Sequence, residues 1–211
     1  MPRVDDYREA FRLASVELAQ VNPHRICSLS GAACVQDAKG DPAISIHFLN
    51  QDHLVQLRPE VEVLRQDSSE PTPLLEKILI LHYLLTARGE SLTKNLITFR
   101  QVPGGSFYYS AFLKRARDPL VRSFGSEPQR LALCGFQLGA KPDEMGDVSI
   151  TLKALPRVPV TVVLWCGDDE FSPEGSLLFD DSIVSYLSTE DIAVLSGMVV
   201  YRLIRINQSL G

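Results

Sequence analysis

The feature that most constrains the fold is a pair of alternating segments between residues 147 and 166, joined by a corner with proline at both ends. Apolar side chains occupy every second position in each segment, which is the period of a half-buried strand. Because Pro156 and Pro159 stiffen the corner between them, the two segments predict a long antiparallel hairpin. Its apolar positions are Val148, Ile150, Leu152 and Ala154, then Val160, Val162, Leu164 and Cys166.

A second hairpin is predicted earlier in the chain. Ile44, Ile46 and Phe48 alternate with polar residues, and the Asn50–Asp52 segment turns the chain into another extended stretch at 53–57. Residues 61–65 form a candidate third strand. The preceding segment, which contains Gly and Ala, is expected to be a loop.

Helical periodicity accounts for most of the remaining chain. An amphipathic helix opens the sequence, and an apolar helix over residues 73–88 follows Thr72, an expected N-cap, and ends before Gly89. Two more helices are predicted at 106–118 and 127–138, the second with a capping box from Ser126 to Gln129. A C-terminal helix begins after Ser188. The fold class is therefore α+β: an antiparallel sheet of hairpins packed against a buried central helix and a C-terminal helix.

The 211 residues, 45% of them hydrophobic, are expected to form a single domain over 1–211 with a polar connector at 66–73. The net charge of −5 does not favour nucleic acid or membrane as a partner. No signal peptide is recognisable, so we expect a cytoplasmic protein with reduced cysteines. Cys134 and Cys166 are expected to be buried, and the cysteine spacing does not support an iron–sulfur cluster.

The first candidate site is an acidic turn after the second strand of the long hairpin. Asp168, Asp169 and Glu170 lie between Trp165 and Phe171, and Asp180 follows about ten residues later. Carboxylates at a strand end can hold a hard cation or act as acid and base, but they also form ordinary solvated turns. Strand alternation turns Trp165 away from the core, so we expect it to share a cleft with the acidic turn and Tyr108.

The second candidate site is the Gly104–Gly105–Ser106 start of the helix at 106–118, which carries Tyr108 and Arg115. Glycine-rich backbone at a helix N-terminus can present N–H groups to an anion. The same glycines can also form a plain turn, since the segment lacks the further residues of a P-loop or dinucleotide fingerprint.

From about residue 75 to 205 the order of motifs resembles the uncharacterised family catalogued as domain of unknown function 3786. The most specific element is the acidic segment from Trp165 to Phe171. The other motifs are Tyr83-Leu84, Pro103-Gly104-Gly105, Phe124-Gly125, Leu138-Gly139, Leu155-Pro156-x-Val158-Pro159, Leu178-Phe179-Asp180 and Glu190-Asp191.

This resemblance implies an accessory role in anaerobic bacteria and archaea, beside iron–sulfur or corrinoid proteins of one-carbon metabolism. The leading expectation is a small-molecule or cofactor-binding protein, with a corrinoid implied only by the family association. Two alternatives stay open: a metal-dependent enzyme that uses the acidic turn, and a protein-interaction subunit without a ligand.

Overall fold

The computed structural model describes residues 4–210, and within them the chain folds into helices and two antiparallel sheets. The predicted α+β class is confirmed. The described residues divide into two compact units. The single domain expected over 1–211 stays a prediction. Unit 1 consists of the described residues up to Ser91 with Leu155–Arg157 and Ser185–Leu187, and unit 2 of the remainder.

Unit 1 begins with helices α1 (Val4–Leu18) and α2 (Pro23–Ser30), followed by a sheet with strand order β1-β2-β3-β4 and helix α3 (Leu74–Thr86). The strands are β1 (Ala33–Gln36), β2 (Pro42–Phe48), β3 (Gln51–Gln56) and β4 (Glu62–Arg65). The predicted hairpin and third strand are confirmed, whereas the segment expected to be a loop contributes α2 and β1. The β2–β3 turn lies at Leu49 and Asn50, both with positive φ, one residue earlier than expected.

The core of unit 1 follows the predicted alternation, since Ile44, Ile46 and Phe48 are at most 1% exposed. The central helix α3 is buried through Ile80, Leu81 and their neighbours and packs against α1. Ion pairs link α3 to β4: Arg65 to Glu76 at 2.8 Å, and Lys77 to Glu62.

The expected helix caps are only partly correct. Thr72 is buried and does not cap α3, because Pro73 takes the N-cap position without a side-chain hydrogen bond. In unit 2, Pro128 rather than Ser126 caps its helix, also without a side-chain bond. Ser188 does cap the C-terminal helix, accepting a hydrogen bond from the Asp191 N–H.

Unit 2 contains a sheet with strand order β5-β9-β8-β7-β6 and the remaining helices. The predicted long hairpin is β7 (Val148–Leu155) and β8 (Val158–Trp165), and β9 (Glu174–Asp180) lies beside β8. The edge strands β5 (Leu96–Thr98) and β6 (Lys141–Asp143) are short. Sequence periodicity did not identify β5, β6 or β9. In β9, Gly175 and Ser176 are followed by a continuous apolar run, which lacks the period of two that marks a half-buried strand.

The helices of unit 2 are α4 (Gly105–Phe112), α5 (Asp118–Phe124), α6 (Gln129–Gln137) and α7 (Thr189–Ser209). The helix expected at 106–118 is interrupted by a π-helical turn at Leu113–Arg117, while 3₁₀ turns occupy Phe99–Gln101 and Asp181–Ser185. Helix α7 packs on the sheet and against α4, α5 and α6. Within residues 4–210, no helix is both long and apolar enough to cross a membrane.

The cysteine predictions need two corrections. Cys27 and Cys34 form a disulfide between α2 and β1, with Cα atoms 6.0 Å apart, so the reduced state expected for all four cysteines is wrong for this pair. Cys134 is buried as expected, but Cys166 is exposed. Strand alternation fails at Cys166 because β8 ends one residue earlier, at Trp165.

Candidate functional site

The acidic turn of unit 2 is held by its own backbone. One carboxylate oxygen of Asp168 accepts hydrogen bonds from the N–H groups of Glu170 and Phe171, at 2.8 and 2.7 Å, and the Asp168 N–H donates to the Phe171 carbonyl. The bonds from Phe171 and Glu170 lower the pKa of the Asp168 carboxyl. Asp168 therefore acts as the organiser of this loop, while Asp169 and Glu170 are exposed.

A shallow groove of about 550 Å³ runs beside this loop. Its lining combines the acidic turn with residues that follow α5: Gly125, Ser126, Pro128, Cys166, Gly167, Asp168, Asp169, Glu170, Phe171, Ser172 and Pro173. Across residues 4–210, no three His, Cys, Asp or Glu side chains come together as a metal-binding group. The acidic turn thus lacks the convergent ligands that hard cations use.

Asp180 does not belong to this groove. It is 3% exposed, and its carboxylate accepts hydrogen bonds from the Ser182 hydroxyl at 2.6 Å and from the N–H groups of Thr93, Lys94 and Ser182. Burial alone would raise the pKa of Asp180, but these hydrogen bonds outweigh it and lower the pKa. Asp180 ties the segment before β5 to the end of β9, which is a structural role.

The glycine pair at the start of α4 forms a tight turn. Gly104 has φ +76°, and the Gly105 N–H donates to the Val102 carbonyl at 2.7 Å. A Cβ on Gly105 would lie 2.0 Å from the Phe99 carbonyl oxygen. The Gly105 N–H is therefore already used and its α-carbon is packed against backbone, which favours the turn over an anion-binding nest. Ser106 is exposed beside this turn.

Trp165 leaves the core as predicted, since it is 40% exposed whereas Val160, Val162 and Leu164 are fully buried. Alternation is not the reason, because Thr161 and Val163 on the face of Trp165 are buried too; Trp165 is exposed where β8 ends. We expected it to share one cleft with the acidic turn and Tyr108. The structure divides these residues, because the acidic turn lines the groove described above and the aromatic partner of the Trp165 cleft is Tyr109. Tyr108 instead contacts Phe107, with ring centroids 5.1 Å apart.

Arg115 is also absent from the lining of either depression. Its backbone lies against Gly197 of α7, where a Cβ would come within 3.3 Å of the Arg115 carbonyl oxygen. The π-helical turn and α7 approach each other closely here, which explains why residue 197 is a glycine.

The cleft that contains Trp165, called here the arginine–aromatic cleft, has a volume of about 390 Å³. It lies where α4, the π-helical turn and the neighbouring ends of β5, β8 and β9 meet. Its lining combines aromatic, charged and hydroxyl side chains: Thr98, Phe99, Arg100, Tyr109, Phe112, Arg117, Trp165, Glu174, Gly175 and Ser176.

One wall of the cleft is an ordered stack. The Arg100 guanidinium lies 4.1 Å from the centre of the Tyr109 ring, Tyr109 stacks on Phe112, and Phe112 lies almost parallel to Phe99 at 4.5 Å. Stacking restricts the orientation of the guanidinium while leaving its edge N–H donors available in the plane. Contacts within the protein alone hold this wall in place.

The charged residues of the cleft differ in their pairing. Arg117 forms an ion pair with Asp118 at 3.0 Å. Among residues 4–210, no carboxylate lies within ion-pair distance of Arg100 and no cationic side chain lies within that distance of Glu174. Glu174 pairs in register with Trp165 across β8 and β9, which places both side chains on the same face of the sheet.

Sequence reasoning identified Trp165 but missed Arg100, Tyr109, Arg117 and Glu174. Tyr108 and Tyr109 are neighbours in the aromatic run at 107–109. The prediction placed Tyr108 in the cleft, whereas Tyr109 lines it. Glu174 carried no signal, because β9 and its register with β8 were not recognised.

The described fold is that of an α+β protein with two antiparallel sheets and a cleft in unit 2. The family described as domain of unknown function 3786 matches residues 22–202, and the chain belongs to this family. The match begins well before residue 75, where the motif comparison placed the start of the resemblance, and so includes most of unit 1. Neither a curated protein nor a solved structure matches the chain.

Proposed function

We propose that this chain is a small-molecule-binding protein whose ligand is a planar anion held in the arginine–aromatic cleft. The observation that carries the proposal is the Arg100 guanidinium, stacked on Tyr109 and without a carboxylate partner among residues 4–210. An oriented guanidinium edge is suited to bind a carboxylate through two parallel hydrogen bonds. The cleft thus offers a fixed cation beside aromatic surfaces.

The aromatic surfaces favour a flat ligand. Trp165 and Tyr109 line the same cleft, and both retain exposed surface. A planar ring can stack on either of them, which contributes about 0.5 to 1.5 kcal/mol beyond the burial of apolar area. Ligand pockets in proteins commonly combine such apolar walls with a few oriented polar groups.

The size of the cleft favours a ligand of one or two fused rings. Its volume of about 390 Å³ is near the lower end of small-molecule pockets, roughly 300 to 1,000 Å³. A corrin macrocycle with its side chains is much larger than the ligands that such a cleft encloses. The corrinoid implied by the resemblance therefore has no support from the cleft, and we propose a smaller ligand within the anaerobic setting that the resemblance implies.

The two alternative functions have weaker support. The metal-dependent enzyme needs convergent carboxylates at the acidic turn, where Asp168 is engaged by backbone N–H groups. The interaction subunit would use exposed apolar side chains such as Phe136, which borders an apolar groove of about 470 Å³ on α6. Neither alternative accounts for the ordered stack around Arg100.

The test uses 2-naphthoate as the probe, with neutral 2-naphthylmethanol as its matched analogue. Trp165 is the only tryptophan of the sequence, so its indole N–H gives a single identifiable peak in a ¹H–¹⁵N correlation spectrum. We expect 2-naphthoate to shift this peak saturably and the neutral analogue to bind at least 10-fold more weakly. A charge-assisted hydrogen bond contributes about 1.5 to 3 kcal/mol, which is roughly a factor of 10 to 150.

The matched variants are Arg100→Gln and Arg122→Gln, which remove an arginine inside and outside the cleft. Arg122 is exposed on α5 and does not line the cleft. Arg100→Gln should reduce naphthoate affinity at least 10-fold, and Arg122→Gln should leave it within twofold of the parent. Absence of a saturable shift, or equal weakening by both variants, would reject the proposed function.

A further inference from the structure

We infer that the ligand of the arginine–aromatic cleft carries a cationic or hydrogen-bond-donating group in addition to its anion, and that Glu174 selects for it. The inference rests on the proposed function and deepens it, since it names the substrate class of the same site. The class is a small aromatic zwitterion: a planar ring system with a carboxylate at one end and an amine at the other.

Glu174 opens β9 directly opposite Trp165, so the two side chains leave the same face of the sheet, and both line the cleft. Residues 4–210 provide no cationic side chain within ion-pair distance and no hydrogen bond to this carboxylate. Glu174 therefore reaches the cleft with its full accepting capacity.

The two arginines of the cleft do not neutralise Glu174. Arg117 is paired with Asp118, and Arg100 is stacked on Tyr109 and more than the 4.0 Å ion-pair distance from the Glu174 oxygens. One cation and one anion, each without a charged partner among the described residues, thus line the same cleft and remain separate.

Desolvation of the Glu174 carboxylate makes the cleft selective. A planar ligand that occupies the cleft removes water from the Glu174 carboxylate, and an ionised group that loses water without a new partner is destabilised. A plain aromatic acid satisfies Arg100 and leaves Glu174 uncompensated, with its own anion repelled by that carboxylate. An amine on the far side of the ring satisfies Glu174 and removes the penalty, so the cleft discriminates between the two ligands.

The experiment compares 6-(aminomethyl)-2-naphthoate, a zwitterion, with 6-methyl-2-naphthoate, which has nearly the same shape and only the anion. Affinities are measured from the Trp165 indole N–H peak in the parent and in Glu174→Gln. In the parent, the zwitterion should bind about 10-fold more tightly than the methyl compound. In Glu174→Gln this ratio should fall below 3, because the amide keeps the shape and loses the charge.

Glu144→Gln is the matched control, since Glu144 is an exposed glutamate that does not line the cleft; it should leave the ratio at its parent value. Glu174 is itself exposed, so its isosteric replacement does not disturb the core. Tight binding of the methyl compound with a ratio near 1 in the parent would overturn this inference and leave the proposed function standing. A ratio that survives Glu174→Gln would overturn it as well. Failure of both compounds to shift the peak would reject the inference and the proposed function together.

Discussion

The glycine pair before α4 gives two variants with sharply different expected costs. Gly105→Ala places a methyl group 2.0 Å from the Phe99 carbonyl oxygen and 3.1 Å from its carbonyl carbon. Both are backbone atoms, so the chain itself has to move. Gly104→Ala meets nothing closer than the Thr189 hydroxyl at 3.9 Å, and its cost comes from the positive φ of +76° alone.

The magnitudes follow from these contacts. A side chain forced into the left-handed region costs about 1 to 2 kcal/mol, which is the expected destabilisation of Gly104→Ala. Overpacking typically costs about 1 to 3 kcal/mol and occasionally more. Because the contact at Gly105 is far inside van der Waals distance and involves backbone, we expect Gly105→Ala to lose about 3 kcal/mol or more.

The assay is urea unfolding monitored by circular dichroism, combined with naphthoate affinity for the folded variants. The turn interpretation requires Gly105→Ala to be the less stable variant by at least 1 kcal/mol and Gly104→Ala to keep parent affinity. An anion-binding nest would instead make Gly104→Ala lose affinity in addition to the stability cost of its positive φ. Equal stability of the two variants would refute the steric reasoning at Gly105.

Further expectations concern the acidic residues and the free thiols. Asp180→Asn should lower the free energy of unfolding by about 2 to 3 kcal/mol at neutral pH, measured by urea unfolding, because it weakens charge-assisted hydrogen bonds. The lowered pKa of Asp180 means that its contribution is fully present above the unfolded pKa of about 3.9 and is lost as pH falls through the folded value, so the variant should lose less stability on acidification than the parent. If the acidic turn holds no cation, millimolar Mg²⁺ or Mn²⁺ will leave the melting temperature unchanged in the parent and in Asp168→Asn/Asp169→Asn alike; a metal-dependent rise in the parent that the double variant lacks would revive the metal-dependent enzyme. Native protein treated with iodoacetamide without reductant should be labelled once, at Cys166, as counted by mass spectrometry; a second label at Cys134 would contradict its burial, and labels at Cys27 and Cys34 would contradict the disulfide.

The parts of the fold that sequence predicted are those with one dominant local pattern. Ile44, Ile46 and Phe48 alternate cleanly and form a buried strand face, while α3 is apolar over most of its circumference. β9 was missed because the consecutive residues Leu177, Leu178 and Phe179 are all buried, and a strand buried on both faces loses the alternation that identifies strands.

The candidate site was predictable only where a residue's own neighbours decide its direction. Trp165 is the last residue of β8 and leaves the core as expected, although the strand before it is buried on both faces. Asp168 and Asp180 were chosen as site residues because they are carboxylates near a strand end. Asp168 instead accepts hydrogen bonds from N–H groups of its own turn, and Asp180 accepts them from Thr93 and Lys94, which only the folded chain brings within reach. Glu174 reaches the cleft through strand register, a long-range property that periodicity does not encode.

The most direct test of the central claim is the location of a bound planar anion. Nuclear Overhauser contacts between the ring protons of bound 2-naphthoate and the isotope-labelled protein identify the side chains within about 5 Å of the ligand. Binding in the arginine–aromatic cleft should give contacts to Trp165 and Tyr109, which both line it. Contacts to Phe171 beside the acidic turn or to Phe136 on α6, with none to Trp165, would place the ligand elsewhere and contradict the account.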